Sequence, residues 1–281
     1  MKPNIQWTIA VIGVFAAMVP AHAQGQNGPQ AEHGNQKNAT VICDVHSLQD
    51  AVDRAAEGAT ITVQGTCTGG IVIRKDRLRI VGESGATIQV PADVVGILIL
   101  GNGVEIRDLN IVGGRVGIDL FSAASAEISA SNILQYTQAG IEVRANSNAT
   151  IVESYISSPG GAFAGINLLA GASAQLINTV IDHPGGLGLA IAATSSAFLA
   201  GNQVLLPGGS SAAILVTRTA QVAFSPEPGS ENTISNPGAA ALVCSQTSSI
   251  FVGRNQIIDG AVFFSGTGNC EVVAIGGATL P

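Results

Sequence analysis

A small residue followed by an apolar-x-apolar triplet recurs along this chain. It reads "GILIL" at Gly96, "GIDLF" at Gly117, "GIEVR" at Gly140, "GINLL" at Gly165, "GLAIA" at Gly188, "AILVT" at Ala213 and "ALVCS" at Ala241. Successive starts lie 21, 23, 25, 23, 25 and 28 residues apart, a near-constant period that marks a stack of like units. Within each unit an apolar residue is followed five positions later by another: Ile106 and Ile111, Ile128 and Ile133, Ile151 and Ile156, Leu176 and Ile181, Leu199 and Val204, Val252 and Ile257. Strands alternate their side chains with period two. The pattern therefore predicts three short strands per rung, with inward residues stacking into apolar columns along a solenoid axis.

Two residues before the last position of each pair runs a second column: Leu109, Ser131, Ser154, Thr179, Asn202, Asn232 and Asn255. Short polar side chains suit a tight bend, where Asn tolerates left-handed geometry. Stacked along an axis they can also bond to one another. Leu109 departs from the pattern.

The array is preceded by "SLQDAVDRAAEGATITVQGTCTGGIVIRKDRLRIVGESGATIQ". Ser47 can cap a helix with Asp50 at the reciprocal position, Leu48, Ala51, Val52 and Ala55 form an apolar stripe, and Gly58 is placed to end it. Such a helix would cover an open solenoid end, so 41–58 is read as an N-terminal cap. With this opening, the rung length and the polar bend, the chain resembles the pectate-lyase-like right-handed parallel β-helix superfamily over roughly residues 41 to 275. The resemblance implies an all-β right-handed parallel β-helix. It also implies that any active cleft lies on the outer face of the first strand of each rung, the one that begins at the repeated Gly.

The ends and the bulk properties set the context. Lys2, the apolar run from Trp7 to Val19 and the small-residue site "AHA" ending at Ala23 read as a signal peptide over 1–23; the run is too short for a membrane span. Residues 24–40 are rich in Gln, Asn and Gly and are expected to form a flexible polar leader, leaving one domain over 41–281. The net charge is -7, and loss of Lys2 leaves eleven basic against nineteen acidic residues, or -8. Nucleic-acid binding is excluded on that balance. The four cysteines fit an exported, disulfide-bonded protein, secreted or periplasmic. Cys43 and Cys67 are 24 residues apart and Cys244 and Cys270 are 26 apart, each near one rung, and residues one rung apart lie within disulfide reach.

The outward positions of the first strands bring Leu98, Asp119, Glu142, Asn167 and Ala190 into one column, with Phe121 and Arg144 two residues on from Asp119 and Glu142. Stacking sets the two carboxylates about 5 Å apart, where they repel unless a cation, a proton or an arginine intervenes. Three readings stay open. The pair holds calcium, acts as a catalytic acid and nucleophile, or is solvated and partly neutralised by Arg144. A second acidic pair, Glu105 and Glu127, shows that acids stack elsewhere on this surface. "VIDH" at Val180 to His183 is similar to the Trp-Ile-Asp-His segment of pectate lyases, with Val180 in place of the tryptophan. Their Arg-x-Pro-x-x-Arg pattern is absent, as are the Asn-Thr-Asp, Asp-Asp, Gly-His-Gly and Arg-Ile-Lys segments of polygalacturonase-like enzymes. Asp182 and His183 sit in a repeated turn ("ISSPGG", "IDHPGG", "VLLPGG", "ISNPGA") that does not require their polarity.

Two functions follow. The first is an exported scaffold or binding protein directed at a polysaccharide or cell-envelope component, without a cofactor. The second is a polysaccharide lyase or glycoside hydrolase in which Asp119, Glu142, Arg144 and His183 carry catalysis and Asn167 and Asp182 bind substrate, with calcium as the one cofactor the residues suggest. Few basic groups, no tryptophan after signal removal and only Tyr136 and Tyr155 point toward neutral glycans or a metal-bridged substrate. An uncapped C-terminal end would favour a homo-oligomer.

Overall fold

The computed structural model describes residues 36–183, 185–207, 211–253, 256–264 and 270–274. The expected signal peptide, residues 24–35 of the leader, and Asn255 lie outside them. The strands pair in parallel, and their register follows the repeat: Ile97 faces Ile118, Ile118 faces Ile141, and Ile141 faces Ile166. Three strand stacks make a parallel β-solenoid. First strands include Val116–Leu120, Ala139–Arg144, Ala164–Leu169 and Leu187–Ile191; second strands include Ser125–Ser129, Asn148–Val152, Ser173–Ile177 and Ser196–Ala200. Third strands include Asn132–Leu134, Tyr155–Ser157 and Val180–Asp182. Second strands form an 11-stranded sheet, and the other two stacks join in a 16-stranded sheet through the long strand Thr233–Cys244, which belongs to both.

The core is a set of aliphatic columns. Ile106, Ile128, Ile151, Leu176 and Leu199 are fully buried, as are Ile111, Ile133, Ile156, Ile181 and Val204. Where the third strand turns into the first, the chain passes close to its neighbouring rung. A Cβ on Gly140 would lie 2.6 Å from Ile156 Cγ2 and 2.7 Å from the Gly165 carbonyl oxygen. The glycines that open five of these units, Gly96, Gly117, Gly140, Gly165 and Gly188, are thus required by close approach across the corner, whereas Ala213 and Ala241 open the last two.

The polar column lies at the second-to-third bend, buried. The Ser131 hydroxyl accepts from the Leu109 N–H, Ser154 from Ser131, and Thr179 from Ser154; the Asn202 and Asn232 amide oxygens accept from Thr179 and Asn202. Each polar side chain therefore satisfies a backbone donor of the preceding rung, and Gln256 serves Asn232. The expectation that the column residue itself takes left-handed geometry is corrected. Positive φ falls one residue earlier, at Asp108, Ala130, Glu153, Asn178 and Gly201, which turns the column side chain inward. Leu109 also finds its reason. The inward residue of the preceding bend, Ala86, already gives its N–H to the Glu83 carbonyl, so no donor awaits a polar partner at Leu109.

The cap forms with two differences. The helix runs Leu48–Arg54, and the Ser47 side chain accepts from the Asp50 N–H. It ends on Ala55, whose extended backbone passes directly into the strand Ala55–Gln64, so Gly58 (φ 70°) falls inside that strand and does not end the helix. Gln49 closes the solenoid edge: its amide oxygen accepts from the Val72 N–H at 2.7 Å and its amide donates to the Val72 carbonyl. The second difference concerns the leader, because Gln36–Ile42 is a strand that pairs with Ala55–Gln64. Backbone pairing holds this segment even though Lys37, Asn38 and Thr40 are exposed and contribute no core. Both disulfides form, Cys43 with Cys67 and Cys244 with Cys270, with Cα atoms 4.6 and 5.9 Å apart.

Candidate functional site

The outer face of the first strands is not a solvated strip. Asp119 is 1% exposed, Glu142 7% and Asn167 4%, and segments that precede the first strands reach this column at Gln138 and Phe163. Gln138, from one such segment, donates to Glu142 Oε2 at 3.4 Å and accepts from Arg115 at 2.6 Å. Register sets Asp119 beside Glu142 and Glu142 beside Asn167.

Arg144 settles the repulsion between the two acids. Its Nε and one terminal nitrogen donate to both Asp119 oxygens at 3.0 and 2.7 Å, and its Nε lies 3.1 Å from Glu142 Oε1. Its guanidinium carbon sits 4.4 Å from the centre of the Phe121 ring, a cation–π contact. The hydrogen bond to Asp119, opposed in part by desolvation, holds Arg144 above its already basic value. Of the three readings of this pair, solvation is corrected by the burial, while neutralisation by Arg144 is what the geometry shows. A calcium ion does not fit while the guanidinium occupies the space between these oxygens. Among the described residues no cluster of three or more His, Cys, Asp or Glu could hold a metal. On the second-strand face Glu105 and Glu127 stack in the same way, with Arg79 3.0 Å from Glu105.

Asn167 ends the chain of polar contacts. Its amide N–H donates to Glu142 Oε2 at 3.3 Å. A carboxylate only accepts, so this contact turns the amide oxygen the other way, and that oxygen is buried without a partner. Asn167 lines a cavity of about 230 Å³ walled by Phe163, Leu169, Ala190, Leu215 and Arg218. Phe163, from the segment before the strand, is 53% exposed. Beneath it Ala164, Leu187, Ala190 and Ala212 form a separate apolar cluster outside the main core. Phe163, Leu215 and Arg218 escaped the sequence reading, although Leu215 shares the register of Asn167 and Ala190.

His183 and Asp182 go elsewhere. His183 is fully buried, its Nε2 3.2 Å from the Ala162 carbonyl and its Nδ1 3.0 Å from the Tyr136 hydroxyl, and it stacks on the Tyr136 ring. A carbonyl only accepts, so Nε2 carries the proton and the neutral ring accepts from Tyr136. Asp182 accepts from the Tyr155 hydroxyl at 3.1 Å. Among the described residues, the polar contacts of His183 are thus to Tyr136 and Ala162 and not to the Asp119, Glu142 and Arg144 group. Burial lowers the His183 pKa despite the bond to Ala162. In the pH range below the unfolded value of about 6.5, the unfolded chain binds the extra proton more readily than the native one. The contribution of His183 to stability is thus full above that value and declines as pH falls. The expected result is a urea midpoint that drops on acidification from pH 7 to 5, with a smaller drop in His183→Phe. Equal drops in both chains would place the pH sensitivity in other groups.

These features define a right-handed parallel β-helix with a polar network buried on its first-strand face. Residues 95–274 match the family described as "Right handed beta helix region", and the chain belongs to that family. Among solved structures it is similar to an alginate lyase from Paenibacillus sp. str. FPU-7, at 15% identity and a TM-score of 0.58, over 84% of this chain and 99% of that one. It is also similar to a pectin methylesterase mutant in complex with a hexasaccharide, at 12% identity and a TM-score of 0.44, over 88% of this chain and 92% of the other. A search of curated protein sequences finds no match.

Proposed function

We propose that this chain is an exported carbohydrate-active protein that engages a saccharide on the outer face of its first strands, in the cavity beside Asn167. The observation that carries this reading is the walled cavity lined by Asn167, whose amide oxygen is buried without a partner. An unmade hydrogen bond at a buried acceptor is costly, and a ligand hydroxyl would supply it. Phe163 offers an apolar face to the C–H side of a sugar ring, and Arg218 offers a cation for a uronate carboxylate or a ring hydroxyl. Asp119, Arg144 and Glu142 act behind Asn167 as positioning residues, since their contacts fix which way its amide points. Two disulfides support a place outside the cytoplasm. Among the described residues no helix is long and apolar enough to cross a membrane.

Lyase or hydrolase chemistry at this face is tested with oligoalginate, oligogalacturonate and neutral hexasaccharides, following new reducing ends and the ultraviolet absorbance of an unsaturated product. Binding is followed in parallel by calorimetry. Asn167→Ala and Arg218→Ala are each expected to weaken binding about tenfold or more, the equivalent of about 1.4 kcal/mol, with an unchanged circular dichroism spectrum. If no saccharide binds, or if both variants bind as the parent does, the reading fails. Binding without turnover is the second outcome with structural support, because Arg144 already occupies both carboxylates. It would identify a binding protein of the same face.

A further inference from the structure

The second-strand face carries a separate groove of about 370 Å³ that spans the rungs from Asn148 to Phe251. Its central column runs Thr150, Gln175, Phe198, Ala223 and Phe251, one residue per rung in register. Phe198 and Phe251 stand two strand spacings apart, about 9.6 Å, with only the Ala223 methyl between them. Two ring side chains thus rise from the sheet on either side of a small-residue floor. Phe198 is 38% exposed.

The rest of the lining is uncharged and polar. Among the described residues the side chains of Thr150, Gln175, Ser196 and Gln221 make no hydrogen bond, so their hydroxyls and amides are available as both donors and acceptors. Among the described residues no Asp, Glu, Lys or Arg lines the groove. The same column is acidic one and two rungs earlier, at Glu127 and Glu105, which disfavours an acidic polymer lying along it. The lining repeats at the strand spacing, so it offers similar groups at regular intervals to a chain of similar units.

The geometry points to a second carbohydrate site: a neutral hexose-based oligosaccharide lies along the second-strand face, with one sugar ring between Phe198 and Phe251 and its hydroxyls on the neighbouring amides and hydroxyls. A pyranose ring suits such a slot because its C–H faces are apolar and its rim is polar, the division of chemistry that this lining offers. The site is distinct from the cavity at Asn167 and stands whether or not that cavity binds a saccharide.

The test is calorimetric titration of the full chain with cellohexaose, mannohexaose and maltohexaose, and with hexagalacturonate as the charged comparison. At least one neutral hexasaccharide is expected to bind, with affinity reduced tenfold or more in Phe198→Ala and in Ala223→Phe, which fills the slot. Phe198→Tyr is expected to bind as the parent does. These side chains are outside the core, and an unchanged circular dichroism spectrum checks that the variants fold. Three results would overturn the proposal: no neutral hexasaccharide bound at millimolar concentration, binding insensitive to both Phe198→Ala and Ala223→Phe, or hexagalacturonate bound with the same sensitivities. A parent dimer that light scattering shows dissociating in Phe198→Ala would also overturn it, since the groove would then belong to a second copy of the chain.

Discussion

Replacing Arg144 with methionine is expected to destabilise the fold by about 3 kcal/mol, the lower end of the cost of leaving a buried charge unpaired. Asp119 is almost fully buried and directly faces Glu142 across the sheet. Arg144 gives both of them donors, at 2.7 to 3.1 Å. Without it, two carboxylates remain one strand spacing apart, with their repulsion no longer offset. The lower end applies because the Arg144 side chain is itself 35% exposed, so water can partly replace it. Methionine keeps most of the apolar stem, which confines the change to charge and hydrogen bonding. Adding Asp119→Asn to Arg144→Met removes one of the two charges and is expected to recover more than half of the loss, as read from urea midpoints. Arg144→Lys is expected to fall between parent and methionine, since it keeps the charge but loses the fork that spans both Asp119 oxygens. A methionine variant as stable as the parent would mean that the carboxylates reach water and need no counterion.

The rungs were legible because a solenoid repeats its demands. Ile128, Ile151 and Leu176 face the same interior in successive turns, so their spacing in sequence records their stacking in space. The column of Asp119, Glu142 and Asn167 was legible for the same reason. Its burial was not, because that depends on Gln138, Arg115 and Phe163, which lie in segments whose lengths vary from rung to rung. The contact of His183 was not legible for a related reason: its partner Tyr136 is 47 residues away, and nothing in the turn around His183 encodes that contact. One missed feature did carry a signal. At the bend from first to second strand, Ser147 and Ser195 accept from the Ala124 and Ala172 N–H groups, and the series Ala124, Ser147, Ala172, Ser195, Ala220, Ser248 keeps the rung spacing in the sequence. Small residues attract less notice than a run of isoleucines, yet the repeat fixes them equally well.

The other large effect is expected at Asn202, where substitution by leucine should cost about 2–5 kcal/mol through two buried backbone groups left without partners. The Asn202 amide oxygen accepts from the Thr179 N–H at 2.9 Å, and its amide nitrogen donates to the Leu176 carbonyl at 2.8 Å and to the Asn232 oxygen at 2.9 Å. Leucine matches the side chain roughly in size and offers none of these contacts. The apolar residue tolerated at Leu109 is no precedent, because there the preceding bend satisfies its own N–H. Ser131→Ala, which orphans only the more distant Leu109 donor at 3.3 Å, is expected to cost about 1 kcal/mol. The two substitutions should also differ in where the fold weakens. In a stack where each rung contacts only its neighbours, stability is close to a sum of rung and interface contributions. Losing the contacts between the Thr179 and Asn202 rungs therefore loosens the side with fewer rungs beyond the break. Hydrogen exchange in Asn202→Leu is expected to quicken in the strands from Gln203 onward while the amides of Ile106 to Ile133 keep their protection. A uniform loss along the whole chain would show instead that the solenoid unfolds as one cooperative unit, with the ladder acting through total stability and not through its local interface.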